Sequence, residues 1–381
     1  MSTVRLFDEN SYLSEFTATV LSCRPQGDGF AVILDRTAFF PEGGGQKGDS
    51  GVLGDATVLH TVEQEDILHL TDRPLSVGET VRGRIDRERR RYRMQHHSGE
   101  HVLSGLVSAQ YGLHNVGFHL GDEVVTVDYD GVLSREQWDQ LERDANAVIC
   151  ENRAITASYP PPEVLATLSY RSKKPIDGAV RIVTVEGVDV CACCAPHVSH
   201  TGEIGMLKIT DAKRYKDGVR LQLVCGAAAV RDYQQKQALT SHITAALSTV
   251  QEQGIAAFDA YTAAIGAAKY ETDKVLLAVA EELAAAQNVS DTAVIVSVLT
   301  GDAARHLAQS VAARSHGTCV VLNAVEDGFR YTLYSEQDGF AQLVSAANSA
   351  LQGKGGGRPP FASGTYRAEP DVIRQWFSCP K

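Results

Sequence analysis

The chain has 381 residues, eight cysteines and a formal charge of -11, enough length for two or three domains around a substantial buried core. The acidic balance argues against indiscriminate polyanion binding. No apolar run approaches the ~18 to 20 residues that span a bilayer, and Met1 to Asp8 lacks a basic then apolar leader, so the expectation is a cytoplasmic protein without a membrane partner. In that compartment the cysteines read as thiols and metal ligands rather than as a disulfide framework.

In chain order, residues from about 10 to 85 read as short strands: 16–21 and 29–34 on either side of the turn Pro25-Gln26-Gly27-Asp28, then 56–61 and 79–85. A small β-barrel over residues 1–92 is the expectation. Inside it, Pro41-Glu42-Gly43-Gly44-Gly45-Gln46 sets three glycines where backbone N–H groups can approach a ligand; a plain turn is the alternative.

Seven arginines in twelve residues, Arg82 to Arg93, precede an apolar helical pattern that carries Met94, Val102, Leu103, Leu106 and Val107 to about Tyr111. His97 and His101 lie four apart on that helix and so share one face. Cys193 and His197 repeat the spacing, but Pro196 directs the second pair to a loop. Three imidazoles and a thiolate suit one Zn2+ per chain. A strand over 123–130, a helix from the N-cap Ser134 with Gln137 in a capping box, and strands at 181–185 and 206–209 complete an α+β zinc-containing unit, 93–228. Arg171 to Lys174 and the Lys208 to Arg220 group add positive charge on both sides of the Cys/His segment, as a phosphate-rich substrate would require; an ordinary solvated face is the alternative, because Asp86 and Glu88 interleave with the arginines.

Residues 229–288 read as an Ala-rich helical hairpin broken near Gly254, a candidate homodimer surface together with the C-terminal region. Alternating strands and helices over 289–381 predict a C-terminal α/β unit. Lys354-Gly355-Gly356-Gly357-Arg358 could hold phosphate through its amides, Lys354 and Arg358, or serve as a C-cap and linker. The fold class is therefore α+β: barrel, zinc-containing domain, helical hairpin and C-terminal α/β domain.

His97-x-x-x-His101 with Cys193-x-x-x-His197, followed by Thr201-Gly202-Glu203-Ile204-Gly205, resembles the editing domain of alanyl-tRNA synthetases and of free-standing AlaX proteins. The segment from Pro41 to Gln46 looks like the glycine motif of longer AlaX forms, Val116-Gly117-Phe118-His119-Leu120-Gly121 fits them too, and Lys354 to Arg358 with Phe361-Ala362-Ser363-Gly364 is similar to the C-terminal DHHA1-type domain. The resemblance implies trans-editing: hydrolysis of the ester at the acceptor end of mischarged tRNA(Ala), chiefly Ser-tRNA(Ala), with glycine a second candidate. No stretch reads as the class II adenylate-forming domain, so the expected protein hydrolyses mischarged tRNA and does not charge it. Carried over, the metal ligands are His97, His101, Cys193 and His197. Thr37 is matched to a threonine that senses the serine hydroxyl; Gly44, Gly45, Gln46 and His119 are candidate substrate contacts. Arg89, Arg90, Arg91, Lys173, Lys174, Lys354 and Arg358 are candidate tRNA contacts. Two positions depart from the pattern: Cys193-Cys194-Ala195-Pro196-His197 replaces Cys-Gly-Gly-Thr-His, making Cys191 and Cys194 competing thiols, and Gly117 stands where synthetases carry a glutamine.

Two other functions compete. His97-Ser98-Gly99-Glu100-His101 also satisfies the inverted zinc-peptidase pattern His-x-x-Glu-His, in which Glu100 would activate water and a distant glutamate would complete the metal shell. Four protein ligands also fit a closed structural zinc in a non-catalytic tRNA-binding module, since hydrolytic zinc normally keeps a position open. Glu100 is the candidate catalytic residue in either enzymatic reading.

Overall fold

Burial alternates along several of the N-terminal strands, which close into a barrel. The computed structural model describes residues 3–122, 124–172, 178–288, 291–315 and 317–378. Two compact units divide it at Leu239/Thr240. The first begins with β1 (Val4–Arg5), α1 (Leu6–Glu9), β2 (Glu15–Gln26), β3 (Gly29–Leu34), β4 (Arg36–Thr37), β5 (Gly51–Leu53), β6 (Ala56–Glu63), β7 (Ile67–Thr71) and β8 (Thr80–Ile85). The barrel closes in the order β2-β3-β7-β6-β5-β8. In β2, Phe16, Ala18 and Val20 face inward, as do Val81 and Ile85 in β8, the period-2 signal that makes such strands legible.

Helix α2 (Arg87–Tyr111) follows directly. The carboxylate of Asp86 accepts from Arg89 N at its start, and Gly112, with φ 65°, closes its end in the left-handed region. Its middle is buried from Arg93 to Gly105, so it serves as an internal spine. Two glycines permit that. A Cβ on Gly99 would lie 2.5 Å from Cys225 Sγ, and one on Gly105 would lie 2.6 Å from the Val188 carbonyl oxygen.

Around α2 come β9 (Asn115–Leu120), β10 (Val125–Tyr129), α3 (Arg135–Cys150), β11 (Ile155–Ser158), α4 (Pro162–Leu165), β12 (Ile182–Val185), β13 (Asp189–Ala192), β14 (Leu207–Tyr215) and β15 (Gly218–Cys225). They form the sheets β14-β15-β10-β9 and β11-β12-β13. Ser134 caps α3 in a full capping box with Gln137. One apolar core joins Leu103 and Val107 of α2, Leu141 and Ala145 of α3, and Val127 and Leu221 of the sheet.

α5 (Gly226–Ala246) leads out of this unit; the second contains α6 (Gly254–Ala286), β16 (Thr292–Val296), α7 (Gly301–Ser315), β17 (Thr318–Val325), β18 (Gly328–Ser335), α8 (Phe340–Ala350), β19 (Lys354–Arg358), β20 (Phe361–Tyr366) and α9 (Pro370–Ser378). Its sheet runs β16-β17-β18-β20-β19. One face packs against α6 and α7, the other against α8 and α9.

The architecture is the mixed α+β one expected, with three corrections. An expected boundary at 92/93 falls inside α2, because the barrel ends at Ile85 and the helix begins two residues later; one at 228/229 falls inside α5. The segment 354–358 is neither a phosphate loop nor a linker: it is the strand β19, paired antiparallel with β20 from Lys354↔Thr365 to Arg358↔Phe361. Its glycines let the two backbones close, since a Cβ on Gly355 would meet Ser363 O at 2.4 Å.

What fixes α2 to the barrel is charge. Asp49, 1% exposed, accepts from Phe40 N at 2.8 Å and Arg90 Nε at 3.0 Å, and pairs with Arg93 Nη1 at 3.5 Å. Arg90 also donates to the Ser11 and Ala38 carbonyls, and Arg93 to that of Gly48. Removing the carboxylate leaves buried Arg90 with carbonyl partners alone and Arg93 with Asp122, at 3.5 Å, as its remaining carboxylate. Asp49→Ala should therefore lose about 3 to 5 kcal/mol of unfolding free energy in urea titration; a loss below about 1 kcal/mol would show that α2 is held by apolar packing alone.

Candidate metal centre and active-site cleft

Three imidazoles and one thiolate converge where α2 meets the loop after β13. The ligating atoms of His97, His101, Cys193 and His197 all lie within 4.8 Å of one another, and all four groups are buried. Cys193 Sγ is 3.3 Å from His197 Nε2 and 3.5 Å from His97 Nε2. As the spacing predicts, the histidines of α2 sit one turn apart, while Cys193 and His197 occupy non-helical backbone.

The arrangement is fixed from behind. His97 Nδ1 donates to Gln46 Oε1 at 3.0 Å and His101 Nδ1 to Asp189 Oδ2 at 3.0 Å, while His197 Nδ1 lies 3.0 Å from Ser98 Oγ, which also accepts from Val198 N. Metal binding through Nε2 requires the proton on each Nδ1, where these partners stand, and the three Nε2 atoms and Cys193 Sγ converge on one point. Outer partners of this kind set the tautomer and aim of metal-bound histidines, and a set of three nitrogens and one sulfur suits Zn2+. The donors thus fit the metal, and His97, His101, Cys193 and His197 are the residues that would hold it.

The thiol and the imidazoles are electrostatically coupled. Burial works against ionising Cys193, yet the surrounding imidazoles hold its thiol well below the ordinary range. Burial pushes His197 down to about 3, whereas His101, against its burial, is held well above the ordinary imidazole range by its bonds to Asp189 and Cys193. Asp189 pays desolvation, but its bonds to His101 and to the Arg171 fork, at 2.7 and 2.8 Å, keep it at about 2. The competing thiols differ: burial raises Cys191 and Cys194 to about 11, so neither is poised as a thiolate.

A cleft of about 560 Å³ opens over the cluster, its wall including Gly44, Gly45, Glu100, Phe118 and Cys194. Gly44 adopts φ 60°, and a Cβ there would stand 3.8 Å from His97 Cε1 and 3.6 Å from Cys194 Sγ. The glycine motif therefore borders the metal site. Glu100 is 3% exposed and does not turn to solvent. Its Oε1 accepts from Ser104 Oγ and Asn115 Nδ2, and its Oε2 lies 4.0 Å from His101 Nε2.

Other expected contacts sit elsewhere. Thr37 is sealed in the barrel: His69 Nδ1 donates to Val32 O at 3.0 Å, so its Nε2 accepts the Thr37 hydroxyl at 2.8 Å, while Phe39 N donates to Thr37 Oγ1 at 3.1 Å. With its proton and an oxygen lone pair committed, Thr37 is locally satisfied and does not line the cleft. Gln46 is fully buried and orients His97. His119 is exposed on β9; its neighbour Phe118 is the residue that turns inward, its ring 4.9 Å from that of His97. Strand alternation allows only one of the two to face the site. A side chain at Gly117 would meet Asp128 Oδ2 at 2.8 Å, so a glutamine there would have to displace the carboxylate that binds Arg220. Arg90 is 5% exposed and spent on Asp49; it is a structural ion-pair residue, not a surface contact. Arg91 is exposed, and Arg89, half-buried, donates to Ser50 Oγ at 3.0 Å. Lys354 and Arg358 are exposed on β19. Lys173 and Lys174 lie outside the described residues.

Sequence patterns missed the supporting roles of Ser98 and Asp189, whose signal is contact across 99 and 88 positions of chain, and read Arg171 only as surface charge, although it grips Asp189 from 18 positions away. The peptidase alternative needs a distant glutamate ligand; the group around His97 and His101 is completed by Cys193 and His197.

Residues 180–222, spanning β12 to β15 and the ligand loop, match the threonyl and alanyl tRNA synthetase second additional domain. Residues 11–89 match a model of class II (A) tRNA synthetases; in this chain that stretch is the closed barrel. An alanine-tRNA ligase of Ignicoccus hospitalis is 37% identical over 272 residues, covering 68% of this chain and 30% of the ligase. Alanyl-tRNA editing protein Aarsd1 is 35% identical in Mus musculus over 55% of this chain and 56% of that protein. In Bos taurus it is 31% identical over 65% of this chain and 60% of that protein. Over these stretches the chain is similar to alanine-tRNA ligases and to alanyl-tRNA editing proteins. It matches about a third of the ligase and somewhat over half of the editing proteins. Among the described residues no helix is long and apolar enough to cross a membrane.

Cys193→Ala should abolish stoichiometric zinc, measured by metal analysis, whereas Cys194→Ala should retain it. Asp189→Asn should weaken zinc affinity about 10- to 100-fold in a chelator competition. Full zinc in Cys193→Ala would refute the ligand assignment.

Proposed function

We propose that this protein is an aminoacyl-tRNA deacylase that hydrolyses the ester of mischarged tRNA(Ala), chiefly Ser-tRNA(Ala), with Gly-tRNA(Ala) a second substrate. The observation that carries the proposal is a preorganised three-nitrogen, one-sulfur donor set flooring a cleft that also contains a buried carboxylate. Kinship with proteins named for alanyl-tRNA editing supplies the substrate class.

Bound zinc would supply a positive centre able to polarise a carbonyl or hold an amino group. The protein's own part is positioning and proton transfer. Glu100, tethered at Oε1 by Ser104 and Asn115, takes a proton from the attacking water as the oxygen of that water bonds to the ester carbon. The bond from that carbon to the ribose oxygen breaks, and the proton passes to the departing oxygen. The amino acid and an intact 3′ end result. Backbone at Gly44 and Gly45 leaves space for the aminoacyl group beside His97, and Phe118 supplies an apolar wall. Arg89 and Arg91, on the first turns of α2, would meet the RNA backbone outside the cleft.

The closed donor set favours one second reading, a structural zinc in a tRNA-binding module. Hydrolysis separates the two. Zinc-loaded protein should release serine from Ser-tRNA(Ala) and spare Ala-tRNA(Ala), and Glu100→Gln should lower kcat about 10²- to 10⁴-fold at unchanged zinc content. No release by zinc-loaded wild type from seryl or glycyl esters would reject the deacylase; wild-type kcat in Glu100→Gln would reject Glu100 as the base.

A further inference from the structure

The cleft is larger than a two- or three-carbon aminoacyl group needs, at about 560 Å³, and its far wall is not built from the metal-binding elements. There the chain leaves β11 and places Tyr159 on the rim, 49% exposed. An exposed tyrosine is commonly mobile; this one is tied down. Its hydroxyl donates to Asp8 Oδ2 at 3.0 Å. Asp8 Oδ1 pairs with Arg181 Nε at 3.4 Å, and Arg181 Nη1 donates to the carbonyls of Cys193 and Ala195 at 3.1 and 2.9 Å. The phenol is thus held, through two side chains, against the loop that presents Cys193. Arg5 and Arg171 line the same cleft. Both are partly exposed and engaged by carboxylates on one side, Arg5 by Glu63 and Arg171 by Asp189.

An aromatic face fixed by its polar end, with guanidiniums nearby, suits a flat base attached to a phosphate. Stacking on such a ring is tolerant of base identity and worth roughly a five- to hundredfold change in affinity per base. The other aromatic ring of the cleft, Phe118, is already packed against His97.

We propose that Tyr159 is the stacking platform for the 3′-terminal base of the RNA whose ester enters the cleft, with Arg5 and Arg171 facing its phosphate. The assignment rests on the deacylase reading for its substrate but is tested by binding, without hydrolysis. Tyr159 is a positioning residue: it holds the nucleoside so that the ester bond reaches Glu100 and the donor cluster.

The test uses the full chain and an uncharged RNA minihelix carrying 2-aminopurine as its 3′-terminal base, with a second minihelix that is abasic at that position. Wild type should quench the 2-aminopurine and bind the first RNA about tenfold more tightly than the abasic one. Tyr159→Ala should lose the quench and bind both RNAs equally, while Tyr159→Phe and Tyr159→Trp, which keep a ring, should retain most of the preference. Equal binding of both RNAs by wild type, or an undiminished preference in Tyr159→Ala, would overturn the proposal. Because the readout needs no ester, a wild type that binds with the predicted preference yet hydrolyses nothing would reject the deacylase reading and leave Tyr159 as an RNA contact; one that hydrolyses but ignores the terminal base would do the reverse.

Discussion

Three imidazoles can hold one metal only if their protons are elsewhere. In this fold each Nδ1 is bound by a group from a different place: Gln46 from the glycine motif, Ser98 from α2 itself and Asp189 from the first residue of β13. The three Nε2 atoms then face Cys193 without a rotamer search. Orienting a histidine from behind costs nothing at the moment of binding, because the hydrogen bonds are already made when the chain folds.

That constraint explains why so much of the first unit is polar where it is buried. Arg171 makes the charge of Asp189 tolerable by closing a bidentate fork on it. Asp49 does the same for Arg90 and Arg93 and thereby locks the barrel, which carries Gln46, to the helix, which carries His97. A buried ion pair is a weak source of net stability, but breaking one is severe. Here the pairs fix register between elements: a small slide of α2 along the barrel would separate His97 from Gln46. The glycines at 99 and 105 serve the same end, letting the sheet and the β13 loop close on the helix.

Much of this was legible in the sequence. The i, i+4 histidines, Pro196 breaking the second pair out of a helix, and the period-2 strands of the barrel are local signals, and the fold follows them. Arg90 and Arg91 show where local reading fails: adjacent in sequence and about 100° apart around α2, one turns to Asp49 and the other to solvent. Phe118 and His119 fail in the same way on a strand. Thr37 has the right chemistry for sensing a hydroxyl, but its proton is already given to His69, a partner 32 residues away. The segment from Lys354 to Arg358 has the composition of a loop; only its pairing with β20 makes it a strand.

The central claim is the identity of the four donors. X-ray absorption at the zinc edge of the zinc-loaded protein tests it directly. The account predicts one sulfur at about 2.3 Å and three nitrogens at about 2.0 to 2.1 Å. A second sulfur, drawn from Cys191 or Cys194, or a shell without sulfur, would contradict it.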